Sequence, residues 1–272
     1  MSTKCTLTFL VPLRPNIPGT DWNFVSQLAM NTLRSCLLNS APEIRVIMIG
    51  HERPSGFYDV DDDRLSFAPA QTSVPCSTAG STGMEDKWSK LFQGLVLIER
   101  NPPDYFMFVD ADDLVSKRLY CHLRDMMPQN GLILKDGWEY SLGGKFIRYV
   151  PDTFNCGTNS VVATASVKLP KRLSPDDRAS CIPLMAGHTI IERQMALAGK
   201  PLDRCPFPAA VHVHHRLQHS RHSGERSSTP SRKIKTAIKN ALFVVKHSAR
   251  YRNAERILLS DFAPDERIVQ DC

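Results

Sequence analysis

No two of the eight cysteines in this 272-residue chain are close enough to form a C-x-x-C pair. That sets aside a zinc site built from cysteines, and the scatter from Cys5 to Cys272 does not resemble a small disulfide scaffold. Reduced thiols in a cytoplasmic protein are the expectation. Long apolar runs are missing as well: none approaches the ~20 residues of a membrane span. The run Leu7–Leu13 is short, holds Pro12 and has no small-residue cleavage site behind it, so it is expected to be a first strand and not a signal peptide. No G-x-G-x-x-G follows it, which leaves a dinucleotide site without support. No repeat period is visible, which excludes solenoids and propellers. A large excess of one charge is also absent: 34 basic against 28 acidic residues give a net +6, too mild to indicate a nucleic-acid partner.

What the chain does contain is a hydrophobic fraction of 42%, enough for a full core, and one stretch around which the rest is organised. Tyr105-Phe106-Met107-Phe108-Val109 is an apolar run of strand length that ends in Asp110-Ala111-Asp112-Asp113. Ligands of open α/β sheets bind at the carboxyl ends of the strands. Two carboxylates delivered there repel each other unless a cation lies between them, and a hard divalent metal holding a diphosphate resolves the conflict. A second acidic cluster, Asp59 to Asp63, is delivered by no apolar strand and reads as a solvated turn.

The flanking pattern is consistent with such a sheet. The spacing predicts a strand at 6–13, a helix over 21–40 with Asp21 as N-cap, and a strand at 44–50, which together make a βαβ unit. A Ser/Thr/Gly/Pro-rich loop is expected over 69–83, then a helix from Asp86 whose Lys87 and Lys90 share a face near its start. Cations are unfavourable at a helix N-terminus, so these two suggest a use such as meeting a diphosphate, against the alternative of ordinary surface lysines. A helix is expected over 115–127, strands at 132–134 and 146–150 with a turn at Gly143-Gly144, and a helix over 188–199 closed by Gly199. In a strand at 207–215, His212 and His214 would share a face. Arg, Lys and apolar residues interleave over 232–259, a basic amphipathic segment that either lies on an anionic membrane surface or packs on the domain. A domain over 1–219 and a basic helical tail over 220–272 follow from this.

Taken in order, these blocks resemble the GT-A class of nucleotide-sugar glycosyltransferases, and within it the bacterial family 2-like enzymes. The likeness runs over about 5–216, and its specific part is Phe106 to Asp113. It implies an α/β fold with a Rossmann-like, mostly parallel central sheet and helices on both faces. It implies transfer of a sugar from a UDP- or GDP-sugar to a hydroxyl of a glycan or lipid-linked glycan, with Mn²⁺ or Mg²⁺ as cofactor. By position, Asp110 would contact the ribose or sugar side with Ala111 beside it, and Asp112 would ligate the metal. Pro12, Leu13, Arg14, His51 and Glu52 would hold the nucleoside, and Lys87 and Lys90 the base or phosphates. A late histidine, His214, would complete the metal site. Trp138 and Tyr140 are candidate platforms for an acceptor sugar, or core aromatics, and Gly157 and Thr158 would permit close backbone approach to it. Such enzymes often carry an acidic pair on the late helix, with the second acid as general base. Here Gly187-His188 stands in that place, leaving His188 or Glu192 for the role.

Two other functions fit parts of the pattern. A sugar-phosphate nucleotidyltransferase also uses a strand-end acid pair, although the loop Leu13 to Gly19 is too glycine-poor to cradle a triphosphate convincingly. A non-enzymatic membrane-surface adaptor could work through the basic segment.

Overall fold

The computed structural model describes residues 5–77, 80–185, 190–215 and 248–262. The chain opens with β1 (Leu7–Pro12), α1 (Trp22–Leu37), β2 (Ile44–Gly50) and β3 (Leu65–Pro69). Then come α2 (Gly80–Glu99), β4 (Tyr105–Phe108), β5 (Leu114–Val115), α3 (Arg118–Met126) and β6 (Gly131–Ile133). The remainder holds β7 (Gly137–Ser141), β8 (Phe146–Val150), β9 (Ser160–Ala163), α4 (Pro175–Met185), α5 (Ile191–Leu197), β10 (Asp203–Arg204) and β11 (Ala210–His214). After residue 247 come β12 (Tyr251–Asn253) and the single turn α6 (Ala254–Ile257).

Seven strands form the central sheet in the order β10-β6-β9-β4-β1-β2-β3, and every pairing is parallel except the two made by β9. The expected α/β architecture with a mostly parallel sheet and helices on both faces is present. All six residues of β1 are buried, which is why that strand is apolar at every position but Thr8 and does not alternate. Leu7, Phe9 and Val11 pack with Val25, Ala29 and Leu33 of α1 on one face. Leu10 packs with Leu91 and Leu95 of α2 on the other. Asp21 caps α1 as its side chain predicts, accepting the Phe24 N–H at 3.2 Å.

A second sheet runs β12-β8-β7-β11-β5. Its core holds Tyr140, Ile147, Val211 and Val213, closed by Ala254, Leu258 and Phe262. The seam between the sheets positions the site. Leaving β4 at Phe108, the chain turns through Asp110–Asp113, with the Asp113 N–H donating to the Asp110 carbonyl at 3.0 Å, and enters the second sheet as β5.

Several sequence expectations need correction. Leu114 and Val115 are a strand against Val211 and Ala210, so the helix expected from 115 starts at Arg118. α2 begins at Gly80, six residues before Asp86. Lys87 and Lys90 are therefore the eighth and eleventh residues of that helix, and the unfavourable-dipole argument for their use does not apply. α4 was not expected at all. Of the basic segment over 232–259, residues up to 247 lie outside the described residues. The part that is described does not stand off the domain, since Tyr251–Asn253 add an edge strand to β8. Among the described residues no helix is long and apolar enough to cross a membrane.

Candidate active site at the end of the central strand

Three carboxylates lie where β4 ends, and each has a different attachment. Asp110 forms an ion pair with Lys87 of α2 at 2.5 Å, and its backbone N–H donates to the Thr158 hydroxyl at 2.9 Å. Its carboxylate lies directly over Gly157. A Cβ built there would stand 2.2 Å from Oδ2 and 2.5 Å from Cγ, so any larger residue would displace the acid. Asp112 meets His215 Nε2 at 2.7 Å. Asp113 is 1% exposed and acts inward: it takes the Thr158 hydroxyl on Oδ2 at 2.7 Å and the Val213 N–H on Oδ1 at 3.3 Å. Its carbonyl receives the Thr32 hydroxyl of α1 at 2.7 Å.

These surroundings separate the acids electrostatically. Burial alone would raise the Asp112 pKa, but the hydrogen bond and charge of His215, followed by Lys87 and His212, hold it below the usual carboxylate range. Asp113 is driven well above that range by burial and by the charges of Asp112 and Asp110. Burial pulls Lys87 down, yet Asp110, with help from Asp112 and Asp113, leaves it raised. Arg14, half-buried, is lowered by burial against an opposing pull from Asp112, which puts it in the field of the site.

Lys90 has a different destination from Lys87. It is 1% exposed and donates to the Leu13 carbonyl at 2.7 Å and to Asp86 at 2.6 Å. The other oxygen of Asp86 meets His51 Nε2 at 3.0 Å. One buried network thus ties the loops after β1 and β2 to α2. Lys90 and His51, expected to touch the donor, are engaged in this network and tie the two loops to α2. Pro12 and Leu13 are buried, Glu52 is exposed, and Ala111 packs partly against the core.

The histidine on Asp112 is His215, where His214 was expected. His212 and His214 do share a face, with ring centroids 4.4 Å apart, but His214 Nε2 points to Glu139 at 3.5 Å. His215 follows the last residue of β11 and projects to the other side, with Phe24 edge-on to its ring at 5.6 Å. Glu139 is held down to about 2: burial works against this, but His214 and Arg148 outweigh it.

The expected acceptor contacts divide. Tyr140 is 2% exposed inside the second core and offers no platform. Trp138 is half-buried, tilted against Tyr149 with centroids 5.3 Å apart. Thr158 is fully buried, and its hydroxyl is bonded to both Asp110 and Asp113. Glu192, on the first turn of α5, is half-exposed and paired with Lys135, just past the end of β6. β6 runs parallel to β4, so Lys135 and Asp110 lie at the same edge of the sheet. His188 lies outside the described residues. Sequence reasoning missed His215 and Asp86, and it named Thr158 only as an acceptor-side residue, not for its bonds to Asp110 and Asp113. Asp86 was signalled by its i, i+4 spacing to Lys90; Thr158, 45 residues from Asp113, had no local signal.

Among the described residues no group of three or more His, Cys, Asp or Glu side chains could hold a metal alone. The donor set at Asp112 and His215 suits a hard divalent cation only if substrate phosphate oxygens and water supply the other positions.

No family model and no curated protein sequence matches this chain. Solved structures do. S. aureus TarS overlaps at 12% identity with a TM-score of 0.45, over 77% of this chain and 37% of TarS, so the chain spans little more than a third of that protein. A structure described as a nucleotide-diphospho-sugar transferase from Desulfovibrio desulfuricans G20 overlaps at 11% identity and 0.40, over 91% of this chain and 99% of its own. The 4-diphosphocytidyl-2C-methyl-D-erythritol synthase of Anaerococcus prevotii DSM 20548 overlaps at 11% identity and 0.39, over 85% and 95%. The likeness is one of strand-and-helix layout.

Proposed function

We propose that this protein is a metal-dependent glycosyltransferase that moves a sugar from a nucleotide-diphosphate sugar to an acceptor hydroxyl. One observation carries the reading: the acids at the end of β4 are sorted into a lysine-paired Asp110, a histidine-paired Asp112 and an internal Asp113. An acid cluster that served only as a solvated turn would need none of these attachments.

In this reading Asp112 and His215 hold Mn²⁺ or Mg²⁺ together with the donor diphosphate. Such a cation, when bound, supplies Lewis-acid stabilisation of the charge on the leaving group. Lys87, paired with Asp110, would meet the diphosphate, and Arg14, in the field of Asp112, would add a second positive charge. Asp110, fixed over Gly157, orients the sugar or ribose hydroxyls. The acceptor oxygen bonds to the anomeric carbon as the C–O bond to the diphosphate breaks. The bonding pair leaves on the nucleoside diphosphate, and the acceptor proton passes to a general base, the role proposed for Glu192 or His188. The second sheet helps to enclose the site through β11.

Asp112→Asn tests this. It keeps the size of the side chain, so the protein should fold, while sugar transfer and nucleotide-sugar hydrolysis fall at least about a hundredfold. Unchanged turnover in a folded variant would overturn the reading.

A further inference from the structure

Helix α2 has a second working face. Lys87, which pairs with Asp110, and Trp88 are consecutive, so their Cα atoms are about 3.8 Å apart and their side chains diverge by roughly 100° around the helix. Trp88 therefore leaves the donor side and, with Phe92, lines a cleft of about 620 Å³ between α2 and the start of α4. Leu173 and Pro175 form the facing wall. The volume lies within the roughly 300–1,000 Å³ typical of small-molecule sites.

The cleft is preformed and neutral. Gln93 clamps its edge, donating to the Pro69 carbonyl at 2.8 Å and accepting the Gln71 N–H at 2.9 Å. The acid and the base in the lining, Glu85 and Arg178, are paired with each other at 2.5 Å, which leaves no net charge for an anionic or cationic occupant to meet. The Trp88 indole N–H and the Thr72 hydroxyl, both in the lining, make no hydrogen bond to another described residue. An aromatic floor, a few unengaged donors and no net charge suit an uncharged ligand with a large apolar part.

We infer that this cleft is the acceptor subsite and that the acceptor is an uncharged amphiphile. Its apolar body lies on Trp88 and Phe92, and its hydroxyl-bearing end reaches past Trp88 to the sugar held at Asp110. The inference rests on the glycosyltransferase reading and names the substrate class for that site.

The test uses n-octyl and methyl β-D-glucoside, with the octyl compound kept below its micelle concentration. Binding is read by calorimetry on the full chain, and transfer with whichever nucleotide-sugar the protein turns over. Each methylene that enters the cleft contributes about fourfold, so octyl should bind at least about thirtyfold tighter than methyl and be the better acceptor by a similar factor in kcat/KM. Ala179→Phe narrows the cleft at an exposed position of α4 and should remove most of that preference, and Trp88→Phe should reduce it. Equal binding of the two glucosides, or a preference intact in Ala179→Phe, would overturn the inference. Equal transfer to both would overturn it while leaving the glycosyltransferase reading in place. Octyl-selective binding with no transfer from any nucleotide-sugar that binds would instead overturn that reading, and the acceptor assignment with it.

Discussion

Thr158 carries no chemistry in this account, yet its hydroxyl is the joint on which the acid cluster turns, and its removal has a calculable cost. The side chain is fully buried. It accepts the Asp110 N–H at 2.9 Å and donates to Asp113 at 2.7 Å. Thr158→Val keeps the shape and deletes both bonds. Leaving a buried polar group without its partner costs about 1–3 kcal/mol, and here two groups are stranded, so a loss of about 3 kcal/mol is expected. For a chain of this size that lowers Tm by roughly 6–12 °C. Thr158→Ser makes the opposite change: the hydroxyl stays and one buried methyl goes, at a cost of about 1 kcal/mol. Thermal or urea unfolding of both variants should therefore rank wild type above Ser and Ser above Val. A Val variant as stable as the Ser variant would refute the role given to the hydroxyl. If Asp110 is oriented by this bond, nucleotide-sugar KM should also rise in Val and recover in Ser.

The two lysines of α2 should separate in the same assays. Lys90→Met strands the buried Asp86 with only His51, at a cost of about 3–5 kcal/mol in urea titrations. Lys87, with its side chain 30% exposed, should change stability by only about 1 kcal/mol when replaced by Met, while affinity for a nucleoside diphosphate falls at least tenfold; the reverse pattern would contradict the assignment. Gly157→Ala should fold and yet weaken nucleotide-sugar binding about tenfold or more, because the new Cβ evicts the Asp110 carboxylate; calorimetry decides it. Glu139 sits at about 2, below an ordinary glutamate, so its contribution is present above about pH 4.5 and is lost as pH falls towards 2. Glu139→Gln should flatten the acid limb of a stability–pH curve by about 1–3 kcal/mol, and an unaltered limb would show that the Arg148 and His214 contacts do not hold the charge.

Much of the central sheet was legible in the sequence, because β1, β2 and β4 are largely buried and read as mostly apolar runs. β1, α1 and β2 needed only periodicity and the Asp21 cap. Legibility failed where tertiary context decides. Leu114 and Val115 continue an apolar pattern that also suits a helix, and only pairing with Ala210 and Val211 makes them a strand. The first turn of α2 is Gly-Ser-Thr-Gly, whose composition signals a loop. α4 did carry a signal in Ser174-Pro175-Asp176-Asp177, a cap, an N1 proline and first-turn acids.

At the site, chain order brought Asp110, Asp112 and Lys87 into view but could not allot partners. Lys87 and Lys90 are 60° apart around a helix, enough for one to reach the acids and the other to enter the fold. Alternation placed His212 and His214 together correctly. It could not say which face of β11 meets Asp112, and that depends on how the second sheet docks at the seam. Asp113, assigned no separate role from the sequence, is the inward anchor between α1, β11 and the Gly157-Thr158 loop.

Asp112 and His215 are proposed to hold a divalent cation only together with a diphosphate. Thermal unfolding with UDP-, GDP-, CMP- and dTDP-sugars, each with and without Mn²⁺, addresses it directly. At ligand concentrations about a hundredfold above Kd, linkage contributes about 2.7 kcal/mol, a Tm rise of roughly 5–11 °C. That rise should appear for a diphosphate sugar with Mn²⁺, shrink sharply without the metal, be absent for Mn²⁺ alone, and disappear in Asp112→Asn. Stabilisation by no nucleotide-sugar, or an equal rise with and without Mn²⁺ in both wild type and Asp112→Asn, would contradict the account.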